Sequence, residues 1–155
     1  MKIYISSSWK NREEVRKLAV TLRRHGCEVF DFTDPACRKT HEAPPEMFPE
    51  QFDPSKHRYK EYIDRPEWRD AVAENREAIA NSDLILLLLP CGIDATADWA
   101  YGVGLGKPSI IVGQPRAGER SAVHLWAEAI LESADEAVSY ILSKNQEHLK
   151  TMKNN

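Results

Sequence analysis

Apolar positions along the chain follow two periods in turn. Lys2-Ile3-Tyr4-Ile5-Ser6 is short, β-branched and aromatic, and stops at Ser6, Ser7 and Ser8, so it predicts a strand feeding a helix N-terminus. From Asn11 the period becomes helical. Val15, Leu18, Ala19 and Leu22 share one face, Asn11 and Glu14 have capping-box spacing, and Arg23, Arg24 and Gly26 suit the helix end. Cys27-Glu28-Val29-Phe30-Asp31-Phe32 then predicts a second strand, ended by Thr33-Asp34-Pro35.

Residues 36–65 hold neither period and carry Pro44, Pro45, Pro49 and Pro54, which predicts a long insertion or lid that Met47, Phe48, Phe52, Tyr59 and Tyr62 could dock. Pro66 suits the first turn of a helix running to Asn81, with Trp68, Val72 and Ile79 on one side. The unbroken apolar run Leu84-Ile85-Leu86-Leu87-Leu88-Leu89 predicts a strand covered on both faces, at the centre of a sheet. A helix over about 96–105 follows, broken by Gly106-Lys107-Pro108, and Ser109-Ile110-Ile111-Val112-Gly113 predicts another buried strand. A short helix over 119–126, a brief last strand over 128–131 and a helix capped by Ser133 and Glu136 that ends near Ser143 complete the pattern. Residues 1–145 read as one domain and 146–155 as a polar tail.

Strands alternating with helices, with buried runs in the middle, predict an α/β fold: a three-layer parallel sheet of four to five strands in flavodoxin-like order. Ligands in such sheets sit beyond the carboxyl ends of the strands, near the switch in strand order. That groups residues 6–9, 31–35 and 91–98 around one cleft. The composition agrees: 155 residues, 42% hydrophobic and 29% charged, exclude a disordered or fibrous chain.

A net charge of -3 with no block of like charge lacks the basic footprint of a protein that holds a nucleic-acid polymer. No apolar stretch is long enough for a signal or a membrane span, which predicts a cytoplasmic protein. Cys27, Cys37 and Cys91 are scattered and odd in number, as free thiols would be. The five histidines show no metal-ligand spacing, and no nucleophile-elbow pattern supports a serine hydrolase.

Asp98 is expected in the first turn of the helix after the central strand, ionised at neutral pH. It reads either as a nucleophilic carboxylate facing the cleft or as an acid that starts a helix. Ser6, Ser7 and Ser8 could hold a phosphate or simply cap. Tyr4 reads as core, with its hydroxyl able to reach the strand end. Trp9, Gly92, Asp94 and Thr96 lie on the same loops and are further candidate substrate contacts. Gly102, Gly104 and Gly106 match neither a P-loop nor a dinucleotide fingerprint; Ala100, Gly102 and Gly104 read as close helix packing.

Lys2-Ile3-Tyr4-Ile5-Ser6-Ser7-Ser8-Trp9, the Asn81-Ser82-Asp83 lead into the apolar strand, and the segment from Asp98-Trp99-Ala100-Tyr101 through Gly106-Lys107-Pro108 together resemble the nucleoside 2-deoxyribosyltransferase-like superfamily. That group includes nucleotide N-glycosidases and is a distant structural cousin of TIR domains, some of which cleave NAD. The resemblance covers most of the chain outside 36–65. It implies a small-molecule nucleoside or nucleotide as substrate, no cofactor, no membrane partner and a homo-oligomer. In the superfamily a carboxylate ahead of the Gly-Lys-Pro turn attacks the anomeric carbon, and the glycosyl ester passes to another base or to water. The resemblance places Asp98 in that role and Tyr4 as its orienting group, with Ser6, Ser7 and Ser8 at a 5'-phosphate and Asp31 and Asn75 toward the leaving base. Two departures stand out: Asp98 is one methylene shorter than the usual Glu, and Trp99-Ala100 replaces an aliphatic-Gly pair. The resemblance also leaves open an NAD-cleaving TIR-like enzyme and a catalytically inactive nucleotide-sensing module.

Overall fold

Leu84–Leu88 is buried at every position and lies at the middle of the sheet, as an apolar run without alternation requires. The computed structural model describes residues 1–38, 53–64, 66–118 and 121–153. Five parallel strands, β1 (Lys2–Ser6), β2 (Glu28–Asp31), β3 (Leu84–Leu88), β4 (Ser109–Val112) and β5 (Ala129–Leu131), stand in the order β2-β1-β3-β4-β5. This is the flavodoxin-like order, and its switch point falls between β1 and β3.

The period of two in each strand divides the core. Ile3, Ile5, Val29, Leu84, Leu86, Leu88, Ile110 and Val112 face α1 (Arg12–Arg24) and α5 (Ala134–Lys153). Tyr4, Ile85, Leu87, Leu89 and Ile111 face α3 (Pro66–Ala80) and α4 (Ile93–Gly104). A short helix, α2 (Tyr59–Ile63), precedes α3. α1 presents Val15, Leu18, Ala19 and Leu22 to the core and ends at Gly26, whose φ of 80° allows the chain to turn into β2.

Several boundaries differ from the sequence expectation. α5 continues to Lys153, so most of 146–155 is helix and not a polar tail. Beyond Ser143 the chain runs through good helix formers without Gly or Pro, and nothing stops it. Asn11 makes no capping bond at α1; its amide donates to Ser7 Oγ and to the Leu89 carbonyl. Val72 is 54% exposed and not on the packed side of α3. The helix expected over 119–126 is a 3-10 turn, Ala122–Trp126. Within 36–65, Met47, Phe48 and Phe52 lie outside the described residues. Tyr59 is 64% exposed, while Tyr62 stands edge-on to Trp68 at 6.1 Å. Gly104 has open space beside it, so of the small residues in α4 it is Gly102 that makes a close approach to the sheet.

Candidate active site

Tyr4 is buried on the α3 and α4 side of β1, its ring stacked on Phe30 with centroids 5.2 Å apart. Its hydroxyl donates to Asp98 Oδ2 at 3.0 Å, and Asn75 Nδ2 donates to the same oxygen at 3.0 Å. The two donors fix the carboxylate from the sheet and from a neighbouring helix. Among the described residues no hydrogen bond reaches Oδ1.

Helical spacing brings these groups together. Ala95, Trp99 and Gly102 form the buried stripe of α4, and Asp98 falls on that stripe at the i, i+3, i+4, i+7 rhythm. On α3 Asn75 precedes buried Ile79 by one turn. Gly102 lets α4 lie flat, since a Cβ there would meet Ile85 Cγ1 at 2.6 Å. α4 begins at Ile93, three residues before the expected start, so Asp98 sits in the second turn and Asp94 is the first-turn acid. Asp98 therefore gains little from the free amides of the helix end.

Burial dominates the electrostatics. It pushes the Asp98 carboxyl above the ordinary carboxylate value, and the nearby Asp94 adds to this. The bonds from Tyr4 and Asn75 and the cation of Arg38 pull the other way. Tyr4 is raised well above the ordinary phenol value, by burial first and then by the Asp98 charge and bond, so it stays a hydrogen-bond donor.

Arg38 went unnoticed in the sequence because one arginine after a Pro-Ala-Cys turn carries no pattern. Its side chain is 5% exposed, Nε donates to the Phe32 carbonyl at 2.9 Å, and Nη1 lies 3.8 Å from Glu74 Oε2. The guanidinium thus joins the end of β2 to α3, one residue before Asn75.

The other expected site residues divide by what already holds them. Ser6 Oγ donates to the Ala95 carbonyl at 2.8 Å and Ser7 Oγ to the Leu88 carbonyl at 2.7 Å, tying the end of β1 to β3 and α4. Ser8 Oγ accepts from the Lys10 amide. Trp9 stands edge-on to Phe32 at 5.0 Å on the α1 side. Asp31 pairs in register with Ile5, which faces the α1 side, and its carboxylate accepts from the Thr33 amide and hydroxyl, both at 2.8 Å. It is separate from the Asp98 cluster. Gly92 is the N-cap of α4, Asp94 is exposed beside it, and Thr96 Oγ1 donates back to the Gly92 carbonyl at 3.2 Å.

A cavity of about 280 Å³ lies under α3 and runs toward the amino ends of β1 and β2, past Ile3, Phe30, Glu74 and Ala78. None of Tyr4, Asn75 or Asp98 lines it. The hydrogen-bonded carboxylate stands apart from that cavity. Cys27, Cys37 and Cys91 form no disulfide, and among the described residues no group of three or more His, Cys, Asp or Glu could hold a metal. No helix of the described residues is long and apolar enough to cross a membrane.

No family model and no curated protein matches the sequence. Among solved structures, a 2-deoxyribosyltransferase from the psychrotolerant bacterium Bacillus psychrosaccharolyticus is similar at a TM-score of 0.57 and 20% identity, over 89% of this chain and 90% of that chain. A CMP N-glycosidase of Clostridium botulinum aligns at a TM-score of 0.49 and 14% identity, over 91% of this chain and 98% of that chain. The first comparison shows that the chain has the nucleoside deoxyribosyltransferase-like fold, as its motifs led us to expect.

Proposed function

We propose that the protein is an enzyme that cleaves or transfers at the N-glycosidic bond of a nucleoside or nucleotide, with Asp98 as the nucleophile. The observation that carries the reading is the convergence of Tyr4 and Asn75 on Asp98 Oδ2, with Oδ1 unengaged. A structural carboxylate tends to have both oxygens satisfied, whereas a nucleophile needs one held and one free. The deoxyribosyltransferase-like fold adds support, and Asp98 stands ahead of Gly106-Lys107-Pro108, where the resemblance of the sequence implies the carboxylate.

Oδ1 attacks the anomeric carbon as the bond from that carbon to the base nitrogen breaks. The base leaves with the bonding pair and takes up a proton. The resulting glycosyl ester on Asp98 is then opened by a second base or by water, which restores the carboxylate. Tyr4 and Asn75 stay bonded to Oδ2 through both steps and keep the carboxylate aimed. Although Asp is one methylene shorter than Glu, the Asp98 carboxylate contacts both donors at 3.0 Å from its place on α4.

The test is chromatographic detection of free base from ribo- and deoxyribonucleosides, their 5'-monophosphates and NAD, with and without an acceptor base. Wild type should release base and Asp98→Ala should not. Equal release by the two proteins removes Asp98 from the mechanism. Nicotinamide release alone would move the activity to the NAD-cleaving class.

A further inference from the structure

Half of the Asn75 amide is in use and half is not. Nδ2 donates to Asp98 Oδ2 at 3.0 Å, while Oδ1, on the same carbon, is buried and has no hydrogen-bond partner. The two ends cannot be exchanged. A half-turn of the amide would set Oδ1 against the carboxylate oxygen that now accepts from Nδ2, so an ionised Asp98 fixes which edge faces it. Amide geometry then holds the vacant acceptor within about 5 Å of Asp98 Oδ2. Buried carbonyl oxygens are rarely left without a donor, and one beside a nucleophile is where a substrate group completes the set.

We propose that Asn75 Oδ1 accepts a hydrogen bond from the 2'-hydroxyl of the substrate sugar, so that the site selects ribosyl over 2-deoxyribosyl compounds. The inference rests on Asp98 acting as nucleophile. In-line displacement at the anomeric carbon puts the attacking oxygen and the departing base on opposite faces of the ring. In a β-ribonucleoside the base occupies the upper face, and the 2'-hydroxyl points to the lower face from which the carboxylate must approach. Asn75 is bonded to that carboxylate, which approaches from the hydroxyl's face, so its contact is to the sugar in place of the leaving base expected from the sequence. The 2'-hydroxyl is borne by the carbon next to the one attacked, which Asp98 Oδ1 approaches to about 3–3.5 Å. Hydrogen bonds to this hydroxyl also strengthen as positive charge develops on the sugar.

Stereochemistry supplies the control. An arabinoside carries its 2'-hydroxyl on the upper face, beside the base, and should behave as a deoxy compound. The experiment compares kcat/KM for ribo-, 2'-deoxyribo- and arabinosides of one base, with wild type and with Asn75→Ala. Wild type should favour the riboside over both others by on the order of 10²-fold, as a lost bond to a buried acceptor implies. In Asn75→Ala all three rates should fall, because Asp98 loses a donor, and the three should converge. That convergence separates a contact to the sugar from mere support of Asp98, which would lower the rates in parallel. Deoxyribosides cleaved as well as ribosides, arabinosides matching ribosides, or a preference unchanged in Asn75→Ala would each overturn the assignment while leaving Asp98 in its role. No base released from any sugar by wild type would overturn the proposed function and this inference together. If Asn75→Ala does not fold, the riboside to arabinoside ratio of wild type decides alone.

Discussion

Tyr4 and Asp98, 94 residues apart in sequence, meet at 3.0 Å where the first strand passes under the fourth helix. The bond runs from a buried phenol to a carboxylate that burial has already raised, and it opposes that rise. Tyr4→Phe keeps the ring on Phe30 and removes the donor, so the Asp98 carboxyl moves further up. Fewer molecules then hold an ionised Asp98 in mild acid. The acid limb of the kcat/KM profile should shift to higher pH, with kcat down by about 10- to 10²-fold at neutral pH. A limb that stays in place would show that the phenol does not restrain the carboxylate.

Asp98 also sets a pH dependence of stability whose sign is opposite to that of most acids. Its folded value lies above the unfolded one because burial dominates. The contribution is therefore fully present below the unfolded value and is lost as pH rises through the folded value, so the ionised form costs stability at neutral pH. Both donors reach one oxygen, which the side-chain carbonyl of an amide can replace. Asp98→Asn should melt above wild type at pH 7, and the gap should close as pH falls below about 4. An Asn variant that melts lower at pH 7 would mean that the carboxylate is stabilised by its partners more than it is strained by burial.

The close approach of α4 to the sheet rests on Gly102. A methyl group there would sit 2.6 Å from Ile85 Cγ1, a buried atom of the central strand with no room to retreat. Gly102→Ala should cost about 1–3 kcal/mol by overpacking, read from urea midpoints at constant m. It should also lower activity beyond its effect on folding, because lifting α4 draws Asp98 away from Tyr4. In an Ile85→Ala background the same substitution should cost less, and the double-mutant cycle measures the contact. Additive costs would place the strain elsewhere.

What the sequence made legible follows from period. Runs without alternation marked β3 and β4 as buried strands, and the strand and helix alternation gave the parallel sheet and its switch point, which grouped residues 6–9, 31–35 and 91–98, although Asp31 turns to the α1 side, away from Asp98. Asp98 carried a further signal. A carboxylate spaced with Ala95, Trp99 and Gly102 lies on the apolar stripe of its own helix, and an ionisable group on such a stripe is either paired or functional. The expected helix start at Thr96 obscured this by making Asp98 look like an ordinary first-turn acid. Arg38 was out of reach, because its burial comes from the packing of the β2 end against Glu74 on α3, a contact between segments far apart in the chain. The end of α5 was missed for the converse reason: polar composition suggests a tail, yet helix formers without a breaker continue the helix.

The serine cluster separates into support and recognition, and substitutions can tell the two apart. Ser6 is buried and its hydroxyl proton goes to the Ala95 carbonyl, while Ser7 gives its proton to the Leu88 carbonyl. Neither has a second proton for a phosphate. Ser8 only accepts, from the Lys10 amide, and its own proton can be donated outward. Ser6→Ala should therefore lower the melting temperature by about 2–4 °C, as the loss of roughly 1 kcal/mol predicts for a domain of this size. Its effect on substrate should be the same whether or not the 5' position is phosphorylated. Ser8→Ala removes the cap on the Lys10 amide and should lower the melting temperature by a similar amount, about 2–4 °C, so the substrate effect is what separates the two. It should raise KM for a 5'-monophosphate by about 5- to 10-fold relative to the matching nucleoside, as one lost hydrogen bond would. A phosphate-selective loss in Ser6→Ala, with none in Ser8→Ala, would mean that the β1 end rearranges when substrate binds and that Ser6 exchanges the Ala95 carbonyl for the phosphate.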